Sequence, residues 1–566
     1  MKSYKNISII QSKNIGKLTK YATNIFRRII QERSNVTFLP KRDDSLIIKL
    51  SIVGKLKPES FKITYCPESG VEIIGGDGNG LLYGIGKFLH SSTFTDHEII
   101  PSVWVGISEP DKKIRGMYFA THFHNFYHDA PIKVVSNYIE ELALWGINSL
   151  SVWFDMHHFE SIDDPEAEVM LDRLSQLLRI GKQLGMETGI MCLANEGYRN
   201  TPEKIKATAT GKSHYGVEIC PSTSAAVRLI LKQIDDEVNR FQKKGVVLDR
   251  ITIWPYDQGG CECKDCTPWG ANGFIKISKQ LSHLIREKLP NTEIILSTWL
   301  FDYFKDAGEW KNLHSCLKED SSWIDALLVD SHTEFPTYPL NNKLSTILPI
   351  VSFPEISMWK MWPWGGIGAN PLVTQLGDKF TRSNHIISGT FPYSEGIYED
   401  INKIVYSQLC WDSSQSIEQI LKEYIIAEYG NQAVENIYKA IQILEKNHHH
   451  CLYMHMFCEN MEFKKWDTPD DAGACEAFEL LERANDKMPE WAKSSWRWRI
   501  LFIRAYIDKE RFSNAGLLTY KCEPFLIELT DIYYAQNANI RISPPSKAAI
   551  ARHQEANAWG KISEEK

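Results

Sequence analysis

Two carboxylates carry the first chemical argument. In Trp254-Pro255-Tyr256-Asp257-Gln258-Gly259-Gly260 an aspartate follows a β-prone run and sits among aromatic rings. Rings that partly desolvate a carboxyl raise its pKa toward the range a general acid needs near neutrality. In Ser352-Phe353-Pro354-Glu355 a glutamate ends a second such run, and Met358-Trp359-Lys360-Met361-Trp362-Pro363-Trp364 follows it. A carboxylate next to three tryptophans reads as a sugar subsite, with flat rings to stack on and an acid to act. The competing readings are an N-cap or loop salt bridge for Asp257, and Trp359 and Trp362 packing between neighbouring domains. Phe391-Pro392-Tyr393-Ser394-Glu395-Gly396 adds Glu395, for which a structural role and a substrate contact are equally open.

More polar residues end similar runs than catalysis alone would use: Asp155, Glu196, and Asp330, His332 and Glu334 in Asp330-Ser331-His332-Thr333-Glu334. A hydroxyl-rich ligand accounts for the surplus, because polar groups in a pocket need hydrogen-bonding partners. Tyr256, Trp299 and Tyr393 then serve as aromatic binding residues, with His122 and His124 beside them. Each has the alternative of a salt bridge, a cap or core packing. Metal readings are weaker. Cys261, Cys263 and Cys266 are three thiols at ligand-like spacing, but a closed zinc site takes four ligands and no second Cys pair lies nearby, which favours a compact loop. His122-x-His124 has the form used by metal-dependent amidohydrolases, yet the fifth β-run ends Ser297-Thr298-Trp299 without histidine and the eighth has no aspartate at its tip. His448-His449-His450 reads as a solvated face. No metal and no cofactor is expected.

The elements that must position these residues have a recognisable rhythm. From Ile114 onward short β-rich runs recur roughly every 25 to 60 residues with helical stretches between them, as a parallel α/β barrel requires. The runs are 115–121, 149–155, 187–195, 250–257, 293–299, 326–330, 348–355 and 386–393, and nearly all end in polar, acidic or aromatic residues. Carboxyl ends of barrel strands are where such folds keep their chemistry. Ahead of them, strands at 45–50 and 71–74 and a helix over 15–32 predict a small α/β domain. The glycines of 75–84 do not match the dinucleotide fingerprint, and they read as a tight strand-to-helix turn. After Asp400 the β signal stops, and 417–428, 433–446, 476–487 and 496–512 have helical period. The expectation is an α/β fold of three parts: a small α/β domain over 1–110, a (β/α)8 barrel over 111–405 and a mostly helical domain over 406–566.

Composition narrows the function classes. The 566 residues exceed one ordinary core, and 64 basic against 71 acidic residues give a net charge of -7, with no electrostatic pull toward nucleic acid. Hydrophobic residues at 43% and charged residues at 24% are those of a globular chain, which excludes disordered and collagen-like classes. No apolar run reaches the roughly 18 residues of a membrane span, and the start lacks a signal-peptide core, so no membrane partner and a cytoplasmic location are expected, a trimmed secreted form being the alternative. Twelve cysteines are too sparse for a disulfide framework. Homo-oligomerisation is left open.

The segment Ile114-Arg115-Gly116-Met117-Tyr118-Phe119, followed by Ile139-Glu140-Glu141-Leu142-Ala143-Leu144-Trp145-Gly146-Ile147-Asn148, resembles the first strand and helix of family-20 hexosaminidase-type barrels. Gly80-Leu81-Leu82-Tyr83-Gly84 resembles the end of the small N-terminal domain shared by those enzymes and family-67 α-glucuronidases. The helical part, with Glu423-Tyr424 and Glu428-Tyr429-Gly430, is similar to the α-glucuronidase arrangement and to relatives bearing Cys-x-Cys-x-x-Cys after the fourth strand. The resemblance implies a glycoside hydrolase, with Arg115 touching a sugar hydroxyl or serving as a buried salt-bridge partner. Family-20 enzymes carry an Asp-Glu pair where this chain has Tyr256-Asp257, which argues against substrate-assisted cleavage of an N-acetyl sugar. Asp257 facing Glu355, with Glu395 in reserve, fits the α-glucuronidase pattern. The expected activity is exo-acting hydrolysis of a terminal sugar from a carbohydrate partner. The alternatives are a non-catalytic carbohydrate-binding barrel and a metal-dependent hydrolase using His122 and His124.

Overall fold

The computed structural model describes residues 2–12, 16–40, 44–67, 70–102, 104–122, 125–208, 216–256, 259–332, 334–356, 368–447, 473–514 and 519–535. Eight parallel strands, Ile114–Phe119, Ser149–Trp153, Glu187–Leu193, Arg250–Trp254, Glu293–Ser297, Ala326–Asp330, Ile350–Phe353 and Ile387–Thr390, pair in chain order. The first strand pairs with both the second and the eighth, so the sheet closes on itself. Strands of such a barrel are covered on both faces, which is why they read as nearly continuous apolar runs such as Ile251 and Ile253 or Ala326 through Val329, all buried. The outer helices bury one stripe only. In Ser224–Lys243 the buried positions Ala226, Ile230, Gln233, Ile234, Glu237, Val238 and Phe241 recur every three or four residues, and the Thr223 side chain caps the first turn. The (β/α)8 expectation is met strand for strand.

Two local features aim the strand ends. Gly116 on the first strand faces the Phe391 ring so closely that a Cβ would lie 2.3 Å from a ring carbon, which explains glycine after Arg115. On the eighth strand Pro392 interrupts the ladder, having no N–H to donate. Pairing resumes at Tyr393–Ser394 against Tyr118 and Phe119, and Glu355 bridges to Tyr393. The seventh and eighth strands therefore stay side by side beyond their regular ends and carry Glu355 and Glu395 onto the same rim.

The N-terminal part is a six-stranded sheet with the order Thr37–Phe38, Asn6–Gln11, Ser45–Ile52, Gly70–Gly75, Phe61–Cys66, Gly106–Ser108. The glycine-rich segment after Gly75 is the strand-to-helix turn the spacing predicts: Asp77 accepts from the Gly80 N–H at 2.7 Å and caps helix Gly78–Ser91. That helix lies on barrel helix Ile132–Leu144, with Gly86 pressed against the Leu144 carbonyl. At the other end, helix Asp400–Trp411 packs against the barrel and runs across the 405/406 boundary expected from sequence. The helices beyond it include Ile417–Tyr429, Val434–Lys446, Gly473–Asn485, Trp496–Ser513 and Glu523–Ile532. Buried Arg497 joins them to the barrel, pairing with Asp400 at 2.7 Å and Glu141 at 2.8 Å. Asp400 also accepts from Tyr138 at 2.9 Å and Tyr424 at 2.7 Å. Among the described residues no helix is long and apolar enough to cross a membrane.

Candidate active site

The carboxyl ends of the strands meet over a floor of stacked rings. Trp254 lies 5.8 Å from Trp153, 5.8 Å from Trp299 and 5.0 Å from Phe353, centroid to centroid. Trp299 continues to His332 at 4.1 Å, and His332 to Tyr393 at 6.1 Å. His122 closes the circuit, 4.8 Å from Trp153 and 6.1 Å from Tyr393, sharing a 2.5 Å hydrogen bond with the Tyr118 hydroxyl. Burial holds the His122 imidazole down to about pKa 3, so it is neutral at any physiological pH. The sixth, seventh and eighth strand ends thus bring His332, Glu355 and Tyr393 to one mouth with Trp299 and His122.

On one side of this mouth His332 stands between two carboxylates. Its Nδ1 is 3.1 Å from Asp330 Oδ1, and its Nε2 is 3.7 Å from Glu355 Oε2. The His332 amide also donates to Asp330 at 2.9 Å, which fixes the turn after the sixth strand. Burial pulls His332 below the usual imidazole range against the charge of Asp330. Lys379, from helix Val373–Ser383, donates to the His332 carbonyl. Burial lowers its ammonium to about 8, while Glu355 and Asp330 act to keep it charged. An imidazole held by an aspartate and facing a glutamate is an arrangement that can orient and tune that glutamate.

Glu395 differs. Its carboxyl accepts from Tyr393 at 2.7 Å and Tyr398 at 3.0 Å, and burial with help from Glu399 pushes it up to about 8. It is protonated at neutral pH, as a proton donor must be. Folding raises this pKa from 4.5, so the stabilising contribution is complete below pH 4.5 and is lost as pH rises through 8. Glu395→Gln is expected to remove that slope, making the fall in unfolding free energy between pH 6 and pH 9 smaller by about 3 kcal/mol. Urea titrations at the two pH values measure it, and identical slopes in both proteins would mean Glu395 is ionised at pH 6.

A second acidic group faces the same rim from the second and third strands. Asp155 receives His157 Nδ1 at 2.6 Å and His158 Nε2 at 3.0 Å, and His157 also reaches Glu196 at 3.2 Å. Burial pushes Asp155 up, but the two imidazoles outweigh it and hold the carboxyl well below its ordinary value. His157, opposed by burial but drawn by Asp155 and Glu196, rises to about 10. Glu196 rises to about 8 through burial and the neighbouring charge of Asp155. One ionised and one protonated carboxyl side by side give the rim separate acceptor and donor groups at neutral pH.

Other expected residues sit elsewhere. Arg115 begins the first strand and points to the opposite, N-terminal face of the barrel. It pairs with Glu59 at 3.0 Å, donates to the Gly146 and Lys112 carbonyls at 2.8 and 2.7 Å, and lies over the Trp411 ring. Of its two readings, the buried salt-bridge partner is the one these contacts match, since Arg115 lies near the start of the strand and the mouth lies at its carboxyl end. Tyr256 is buried in its loop with its hydroxyl on Glu309, accepting from the Gly270 N–H at 3.1 Å. Glu334 is 73% exposed and pairs with Arg382 at 3.2 Å, outside the ring-lined mouth. Asp257, His124, Trp359, Trp362 and His448-His449-His450 lie outside the described residues. Sequence reasoning missed His157, Lys379 and Tyr398. Only His157 had a signal, standing two positions after a strand-end aspartate. A separate cleft lined by Phe61, Tyr83, Trp104, Trp145 and Trp411 opens at the N-terminal face, away from these carboxyls.

The sequence matches no protein-family model and no curated protein. In three dimensions it is similar to a family GH115 4-O-methyl-α-glucuronidase with specificity for decorated arabinogalactans, over 100% of this chain and 80% of that one, with TM-score 0.60 at 10% identity. It is similar to a family 89 glycoside hydrolase from Clostridium perfringens over 91% of this chain and 64% of that one, TM-score 0.61 at 11% identity. A GH20 exo-β-N-acetylglucosaminidase from Vibrio harveyi aligns over 75% of each chain, TM-score 0.53 at 10% identity. The fold is that of barrel glycoside hydrolases. The resemblance to family 20 drawn from the Arg115-Gly116 strand is thereby met at the level of architecture, and an α-glucuronidase stands among the structural neighbours.

Proposed function

We propose that this protein is a glycoside hydrolase that removes a terminal sugar from an oligosaccharide or glycan by carboxylate chemistry. The observation that carries the reading is the convergence of Glu355, Glu395, Asp155 and Glu196, all buried, from four strand ends onto one aromatic-lined mouth. The neighbours named above support it as a class. Rings offer stacking surfaces, the Asp155 and Glu196 side holds sugar hydroxyls, and the carboxyls supply acid and base. In this reading Asp257 protonates the departing oxygen, and Glu355, oriented by His332, either activates water or attacks the anomeric carbon. Glu395 is the second proton donor within reach of the rim.

The test is a screen of aryl glycosides and plant or host oligosaccharides, with proton NMR of the first-formed anomer on any substrate cleaved. Retention places Glu355 as nucleophile with the two carboxyls about 5 to 5.5 Å apart, and inversion places it as base at about 6.5 to 9.5 Å. Sugar binding in calorimetry with no product from any glycan would overturn the catalytic reading in favour of a binding protein. On a substrate that is cleaved, Asp257→Asn is expected to lose far more on a poor leaving group than on an activated one, since the latter needs less acid assistance.

A further inference from the structure

We propose that Cys220, Cys261, Cys263 and Cys266 together hold one structural zinc ion that fastens two loops of the barrel rim. The three clustered thiols lack a fourth partner in sequence, and the fold supplies it from the loop after the third strand. The four sulfur atoms lie within 4.8 Å of one another, with Cys220 Sγ 3.6 Å from Cys263 Sγ and 4.0 Å from Cys266 Sγ. A tetrahedral zinc with Zn–S bonds of about 2.3 Å requires sulfurs about 3.8 Å apart, and these two distances bracket that value. Four thiolates with no open position suit a closed structural site, and a soft tetrahedral donor set selects zinc among common divalent ions.

The backbone prepares this geometry from both sides. The Cys266 and Thr267 amides both donate to the Cys263 carbonyl at 3.0 Å, a tight turn that brings Cys263 and Cys266 to one side. Asn195 ties the two loops together: its side-chain amide donates to the Ile219 carbonyl at 3.0 Å and the Gly260 carbonyl at 2.9 Å, and its oxygen accepts from the Gly260 N–H at 3.0 Å. Each of those partners precedes a ligand, Cys220 and Cys261, by one residue. Cys261 and Cys266 are buried, whereas Cys220 and Cys263 are partly exposed, so an ion has a route in. The fastened loops are those that carry Glu196 and that follow Asp257, which makes the metal a brace for the rim and leaves it no part in bond cleavage.

Protein purified without metal-affinity steps is expected to carry about one zinc per chain by elemental analysis. Cys220→Ser and Cys263→Ser should each lower zinc content by at least tenfold, while Cys316→Ser and Cys475→Ser leave it unchanged. Because a ligand variant can fail to fold, the unmodified protein gives a second readout. A mercurial titration should release one zinc per chain as the four clustered thiols are blocked, and replacement by Co2+ should give the intense charge-transfer absorption of tetrahedral cobalt thiolate. Zinc below a tenth of an equivalent with no cobalt–thiolate band overturns the site. So does iron in its place, or a zinc whose content is unchanged in both Cys220→Ser and Cys263→Ser, which would locate it away from these thiols.

Discussion

Glu355→Gln is expected to lower turnover of any glycoside this protein cleaves by about 10²- to 10⁴-fold, the range for removing a positioned acid–base or nucleophilic group. The amide keeps the size and hydrogen-bonding capacity of the carboxylate, so the neighbouring His332, 3.7 Å away, and the Tyr393 bridge have no steric reason to move. KM should change little, because the loss falls on a step in bond cleavage and not on uniform binding. If Glu355 is the nucleophile, azide should partly restore turnover of an activated glycoside in a Glu355→Ala variant and yield a glycosyl azide. Activity within several-fold of the parent would remove Glu355 from the mechanism. Asp330→Asn offers an internal comparison, since Asp330 lies 3.1 Å from His332 Nδ1 and in the proposed reading works through that imidazole. Its effect should be smaller and should appear as a displaced pH profile.

Arg115→Met is expected to cost about 2–4 kcal/mol of stability, the scale for removing a buried charged donor from two backbone carbonyls. The guanidinium is fully buried and holds Glu59, the Gly146 carbonyl and the Lys112 carbonyl at once; its removal takes the donor from both carbonyls, while Glu59 keeps Asn148 at 3.0 Å and Tyr83 at 3.3 Å. Methionine retains much of the packing against Trp411 and Tyr83 but none of the donors. Denaturant unfolding measures the loss, and KM on any cleaved glycoside should be unchanged in the fraction that remains folded. A raised KM with stability intact would return Arg115 to the sugar site.

How much of this was legible beforehand follows from the physics of each element. Barrel strands are covered on both faces, so stretches such as Ile251 to Trp254 appear as short apolar runs whose ends can be read to within a few residues. Helices such as Lys17–Arg33 bury selected positions, among them Ala22, Ile25, Phe26, Ile29 and Ile30, at a period the chain displays openly. The polar strand tips Asp155, Glu355 and Glu395 were visible for the same reason: an acid at the end of an apolar run is conspicuous. Lys379 and Tyr398 were not, because nothing in a helical or loop segment marks which side chain will turn toward a distant strand end.

Fold class, strand order around the barrel and the acidic character of the rim were therefore determined by the chain itself, through local periodicity and composition. The tertiary structure alone decided which end of the first strand Arg115 serves, which carboxyls are protonated and which thiol completes the cysteine group. Those outcomes depend on contacts between residues far apart in sequence, such as Cys220 with Cys263 at a separation of 43 positions, and on burial. A pKa or a ligand set is a property of surroundings, and surroundings exist only once the chain has closed on itself.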